Sequence, residues 1–147
     1  MFGRFVLLGA GFGPAPPGTT FTAMGWPIEP DGLYEQLLIF RDRYGNPPVY
    51  VTENGAGYDD QPPANAEVPD LHRLEYIRAC LRELRRGIAD GAPVRGYFLW
   101  SLLDNFEWAD GYSRRFGIVY NDFATQRRTP KMSAKWYSRV IGGNRLL

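Results

Sequence analysis

The chain has 147 residues, 44% hydrophobic and 22% charged, and its 17 basic and 16 acidic side chains leave a formal net charge of +1. This is the composition of a globular domain: no apolar run of about eighteen residues could span a membrane, and no basic excess marks a nucleic-acid surface. One cysteine excludes an intrachain disulfide and a multi-cysteine metal site. Of the 22 aromatic residues, 9 fall between Tyr97 and Phe123. That density suits either an aromatic core or platforms for flat ligands such as sugar rings.

Residues 1–20 differ in texture from the rest, with an apolar start followed by glycine, proline and threonine. They read as an arm, and Phe5 to Leu8 as a makeshift strand. Arg4, Phe5 to Phe12 and Ala15 meet the pattern of a secretory leader only loosely, so the expected compartment is the cytoplasm. Gly9, Gly11 and Gly13 invite a dinucleotide-binding fingerprint. Pro14 stands where its third glycine belongs, and Pro16, Pro17 and Gly18 forbid the helix that should open there.

From Asp31 the organisation is regular. Leu33, Leu37, Phe40 and Tyr44 recur at helical spacing, and Gly45, Asn46 and Pro47-Pro48 end that helix. Val49 to Thr52 predicts a strand buried on both faces, as in a parallel sheet. A polar loop runs from Asn54 to Pro69, in which Asp59-Asp60 reads as solvated. A second helix carries Leu71, Leu74, Ile77, Leu81, Leu84 and Ile88 on one stripe, with Asp70 as N-cap and Gly91 as stop. Its arginines, Arg73 among them, are assigned to the surface, as is His72, while Cys80 is assigned to packing. Val94 to Trp100 predicts a second strand, Phe116 to Tyr120 a short third, and Thr129-Pro130 the start of a last helix bearing Met132, Trp136 and Val140. Helices alternating with buried strands form an α/β fold, whose chemistry sits in loops leaving the strand C-termini.

Two places satisfy that rule. Glu53 ends the first strand, where a carboxylate serves as nucleophile, base or metal ligand, or simply caps the next turn. Trp100 to Trp108 follows the second strand and mixes indoles with Asp104, Asn105 and Glu107. Sugar sites need that mixture, since ring faces stack on Trp while hydroxyls pair with carboxylate, amide and indole N–H. An aromatic core loop with Asp104 and Glu107 in structural hydrogen bonds is the alternative. Two carboxylates at strand ends suggest glycoside hydrolysis, in which a retaining enzyme holds them roughly 5–5.5 Å apart. Sequence spacing does not establish such a distance for Glu53 and Glu107.

Longer motifs go further. Thr22-Ala-Met-Gly-Trp26-Pro, Val51-Thr-Glu53-Asn-Gly55, Arg95-Gly-Tyr-Phe-Leu-Trp100-Ser-Leu-Leu-Asp-Asn-Phe-Glu107-Trp108, Arg115-Phe116-Gly-Ile-Val-Tyr120 and Thr129-Pro-Lys131 together resemble the C-terminal part of family 1 β-glycosidases, whose best-known members are β-glucosidases. The resemblance implies a partial (β/α)8 TIM barrel over residues 21–147, namely the last two βα units and the helix before them. It implies that Glu53 is the nucleophile of a retaining β-glycosidase, forming a covalent glycosyl-enzyme. Trp100 would be the floor of the glycone subsite, Glu107 would accept from outer sugar hydroxyls, the Trp108 indole would donate, and Phe116 would line the same pocket. Relatives acting on 6-phosphorylated sugars would not set a carboxylate like Glu107 against phosphate, so a neutral β-glycoside is the expected small-molecule partner.

The family's acid/base is the Glu of an Asn-Glu-Pro motif, and that tripeptide does not occur in this chain. A complete barrel needs roughly 250 residues. The chain is therefore expected to be inactive alone and to need a missing N-terminal barrel part or self-association. A non-catalytic sugar-binding or interaction remnant is the alternative. No metal or cofactor is expected.

Overall fold

A computed structural model describes residues 15–147; the expected strand at Phe5–Leu8, the Gly9–Gly13 segment and most of the arm lie outside the described residues. Helix α1 spans Asp31–Arg43, strand β1 Val49–Asn54, helix α2 Leu71–Ala89 and strand β2 Val94–Leu99. Strands β3 (Val119–Asn121) and β4 (Arg128–Pro130) precede helix α3, Met132–Gly143. Among the described residues no helix is long and apolar enough to cross a membrane.

β1 and β2 pair in parallel, joined through α2, as the alternation of strand and helix patterns predicts. Leu33 and Leu37 of α1, Leu84 of α2 and Val49, Val51, Val94 and Tyr97 of the strands share one apolar cluster. A second cluster joins Leu74 and Ile77 of α2 to Ile118 and to Met132, Trp136 and Val140 of α3. Both expected helical stripes therefore meet the sheet through their central residues. Leu71 and Ile88 remain 55% and 48% exposed. The reason is length: the 19 residues of α2 make a rod of about 28 Å, and a six-residue strand spans about 20 Å, so both helix ends overhang the sheet.

Four expectations need correction. β1 is not buried on both faces: Val49 and Val51 pack against helices, but Tyr50 is 59% exposed, because the opposite face is uncovered among the described residues. The third strand is not Phe116–Tyr120. Phe116, Gly117 and Ile118 are bonded to Ser101 and Asp104 of the loop beyond β2, and only Val119–Asn121 pairs, antiparallel, with Arg128–Pro130. Asp122 shapes that hairpin, its carboxylate accepting from the amides of Ala124 and Thr125. Since Thr129-Pro130 belongs to β4, α3 starts only at Met132, after an extended Lys131. Finally, Asp70 stands at the N-cap of α2 without capping it. Its carboxylate is taken by Arg73 and by the amide and hydroxyl of Ser133 at the start of α3.

Candidate active site at the strand C-termini

The C-terminal ends of β1 and β2 lie side by side. Asn54 is in register with Leu99, and the amide of Trp100 donates to the carbonyl of Asn54 at 2.9 Å. Gly55 allows this approach, because a Cβ there would stand 1.7 Å from the Trp100 carbonyl oxygen. Gly55→Ala must push two backbones apart. It is expected to cost roughly 3 kcal/mol, visible as a lowered urea midpoint at unchanged m-value; an unchanged midpoint would refute the close approach.

A β-bulge sets the direction of Glu53. Val51 pairs with Tyr97 and Asn54 with Leu99, so three steps along β1 match two along β2. Val51 packs among the helices, and the Asn54 amide is also held on the α2 side: it donates to the Tyr76 hydroxyl at 3.2 Å and accepts from the Tyr97 hydroxyl at 2.7 Å. The two residues between them, Thr52 and Glu53, are both exposed. Burial pushes the Tyr76 and Tyr97 hydroxyls well above the usual phenol range, so both stay protonated, Tyr97 donating to the Asn54 amide and Tyr76 accepting from it. Cys80 beside them is buried and pushed up to about 11 by desolvation, a neutral thiol in a packing position.

The loop leaving β2 carries the other expected site residues. Trp100 is 37% exposed and Trp108 is 86% exposed. Trp108 opens a single 3-10 turn through Asp110, closed by Gly111, whose amide donates to the Glu107 carbonyl and whose own carbonyl accepts from the Glu107 amide at 2.6 Å. Gly111 has φ 58° and ψ −124°, a conformation reserved for glycine, so this turn depends on it. Glu107 is half-buried, and its Oε2 is shielded from solvent with no hydrogen-bond donor among the described residues. Phe116 is only 3% exposed, with its ring against Gly57 and 6.1 Å from that of Trp26. His72 is exposed on the first turn of α2 and stacks on Tyr58, as its surface assignment anticipates.

Beneath the two loops lies a charge cluster that the sequence reading missed. Asp60, Asp70 and Asp104 face Arg73, Arg115 and Lys131. Asp60 is no solvated loop residue: its side chain is 4% exposed, between Arg73 and Lys131. Arg73 is no surface arginine at 1%, and Lys131 is fully buried. Asp104 accepts from Lys131, Arg115 and the amides of Gly117 and Asn121, which is the structural role left open for it. Burial and nearby Arg73 push the Lys131 ammonium below the usual lysine range, against the pull of Asp60 and Asp104. The signals were faint: Lys131 is one of only two lysines against 15 arginines, and Asp104 directly follows Leu102-Leu103.

Comparison with known proteins agrees with this architecture. The sequence model of Glycosyl hydrolase family 1 matches residues 15–146. A 1,4-beta-D-glucan glucohydrolase of Thermotoga neapolitana is 53% identical over 125 residues, which are 85% of this chain and 28% of that protein. A 6-phospho-beta-galactosidase of Streptococcus mutans is 44% identical over 138 residues, 93% of this chain and 29% of that one. The solved structure of a beta-glucosidase from Thermotoga maritima in complex with deoxynojirimycin superposes with a TM-score of 0.86 at 47% identity, over 90% of this chain and 30% of that one. The chain thus spans about 30% of the length of the relatives it matches, and its fold is the expected part of their TIM barrel. With its matched residues covering nearly all the described structure, the chain belongs to Glycosyl hydrolase family 1.

Proposed function

We propose that this chain supplies the nucleophile and most of the glycone floor of a retaining β-glycosidase of the β-glucosidase type. The observation that carries this reading is the placement of Glu53 and Trp100 at adjoining C-terminal ends of two paired parallel strands. Glu53 attacks the anomeric carbon and forms the covalent glycosyl-enzyme, while the leaving oxygen takes a proton from an acid. Trp100 stacks under the sugar ring, and Trp108 donates its indole N–H to an outer hydroxyl. Glu107 accepts from outer hydroxyls, and its unpartnered oxygen supports that role, because a shielded carboxylate oxygen is costly until a donor reaches it. Phe116 closes the base of the pocket beneath the loops.

The acid/base comes from outside these 147 residues, from the complementary part of a barrel or from a second copy. Glu107 also favours a neutral glycone over one carrying a phosphate, since a carboxylate and a phosphate repel in a desolvated site.

A substrate with an activated aryl leaving group needs little protonation, so it tests the nucleophile without the missing acid. Mixing the chain with dinitrophenyl β-glucoside is expected to release one equivalent of phenolate per active chain in a burst, followed by a slow phase. The 6-phosphorylated analogue is expected to give at least tenfold less. No burst at any protein concentration would support a non-catalytic sugar-binding remnant instead, and a larger burst from the phosphorylated sugar would overturn the glycone assignment.

A further inference from the structure

The buried charge cluster is built so that a single ammonium group joins the two loops of the candidate site. Asp60 lies seven residues beyond Glu53 in the loop leaving β1, and Asp104 lies four residues beyond Trp100 in the loop leaving β2. Lys131 Nζ donates to both, at 2.5 Å to Asp60 and 2.8 Å to Asp104, although Lys131 belongs to neither loop and stands at the entry to α3. Of the other two cations, Arg73 also reaches across the seam and Arg115 stays on the β2 side. Arg73 holds Asp60 and Asp70 and donates to the Arg115 carbonyl, while Arg115 holds Asp104 and the carbonyl of Asn121. Three carboxylates and three cations cancel, which is the condition under which such a cluster can be kept out of water.

We infer that Lys131 is a positioning residue for the glycosidase site, fixing the loop that follows Glu53 against the loop that carries Trp100, Glu107 and Trp108. It acts at a distance from the sugar: it is fully buried and reaches the reacting groups only through Asp60 and Asp104. An apolar residue could fill its volume, but no apolar residue could grip both loops. The backbone bonds between Tyr58 and Arg115 and the more exposed ion pair of Arg114 with Asp59 close the same seam elsewhere, and Lys131 supplies its fully buried carboxylate-to-carboxylate link.

The proposal rests on the function assigned above to Glu53 and Trp100, and its test separates the two. The double substitutions Asp104→Asn with Lys131→Met, and Asp60→Asn with Lys131→Met, each remove one anion and one cation. The remaining charges stay balanced, the two variants guard against either aspartate change preventing folding, and Lys131→Arg, which keeps a cation there, guards against the loss of Lys131 doing so. In the full chain, hydrogen exchange of the amides in residues 55–60 and 101–118 is expected to rise at least tenfold in either double variant. Amides in the middle of α2 should keep their wild-type rates. In the same variants, affinity for deoxynojirimycin, read by tryptophan fluorescence, is expected to fall at least tenfold.

Exchange that rises equally in α2 and the loops, or in neither, would overturn the positioning role and leave Lys131 a general structural residue. Failure of the unsubstituted chain to bind deoxynojirimycin would count against the proposed function alone, because the exchange comparison decides the role of Lys131 without a sugar.

Discussion

Glu53→Gln is expected to abolish the burst of phenolate and to lower turnover of the activated glucoside by a factor on the order of 10⁴ or more. The amide matches the carboxylate in size but is a far weaker nucleophile, so the covalent intermediate does not accumulate. The variant is informative because Glu53 is exposed and makes no salt bridge among those of the described residues. Its thermal midpoint should therefore match the parent within about a degree, as is usual for surface changes of under 0.5 kcal/mol. Deoxynojirimycin affinity should change by much less than the rate, since Trp100, Glu107 and Trp108 remain. A full burst from Glu53→Gln would place the nucleophile elsewhere.

Asp104→Ala is expected to be the most damaging single change to the fold, at roughly 3–5 kcal/mol. The carboxylate is fully buried and serves four donors: Arg115 at 2.7 Å, Lys131 at 2.8 Å, and the amides of Gly117 at 3.0 Å and Asn121 at 3.3 Å. Removing it leaves a cation short of its partner and two amides unsatisfied, which is worse than never having built the pair. Asp104→Asn keeps an acceptor for the amides and should lose less. Urea unfolding of both variants gives the comparison; a loss below about 1 kcal/mol for Asp104→Ala would mean that water reaches the cluster.

Much of the architecture was legible because it depends on periodicity. α1 starts and stops where its apolar spacing and the Gly45-Asn46-Pro47-Pro48 signal place it, and the central residues of the α2 stripe are the buried ones. Glu53 and the Trp100–Trp108 segment were found because they immediately follow strand patterns. The charge cluster was not legible for the opposite reason. Asp60, Arg73, Asp104 and Lys131 are far apart in the chain and polar, and a polar residue's pattern is the same whether its partner is water or another residue. Asp70 shows the point well: its position before α2 predicted a cap, but Ser133, 63 residues away, offered better donors. The β3–β4 hairpin was missed because its strands are three residues long, too short for alternation to register.

The bulge in β1 means that this chain stores part of its chemistry as a count. Two residues separate Val51 from Asn54, both anchored in the helix layer. Were there one, both anchors could still face the helices, and the step between them would match that from Tyr97 to Leu99 on β2. There would simply be no second outward position between them. Hydropathy, volume and charge are all indifferent to that number. Deleting Thr52 would leave Glu53 as the one residue between the anchors and change where its carboxylate stands relative to Trp100, so the parity of a short stretch of strand belongs with the identity of Glu53 among the requirements for the reaction.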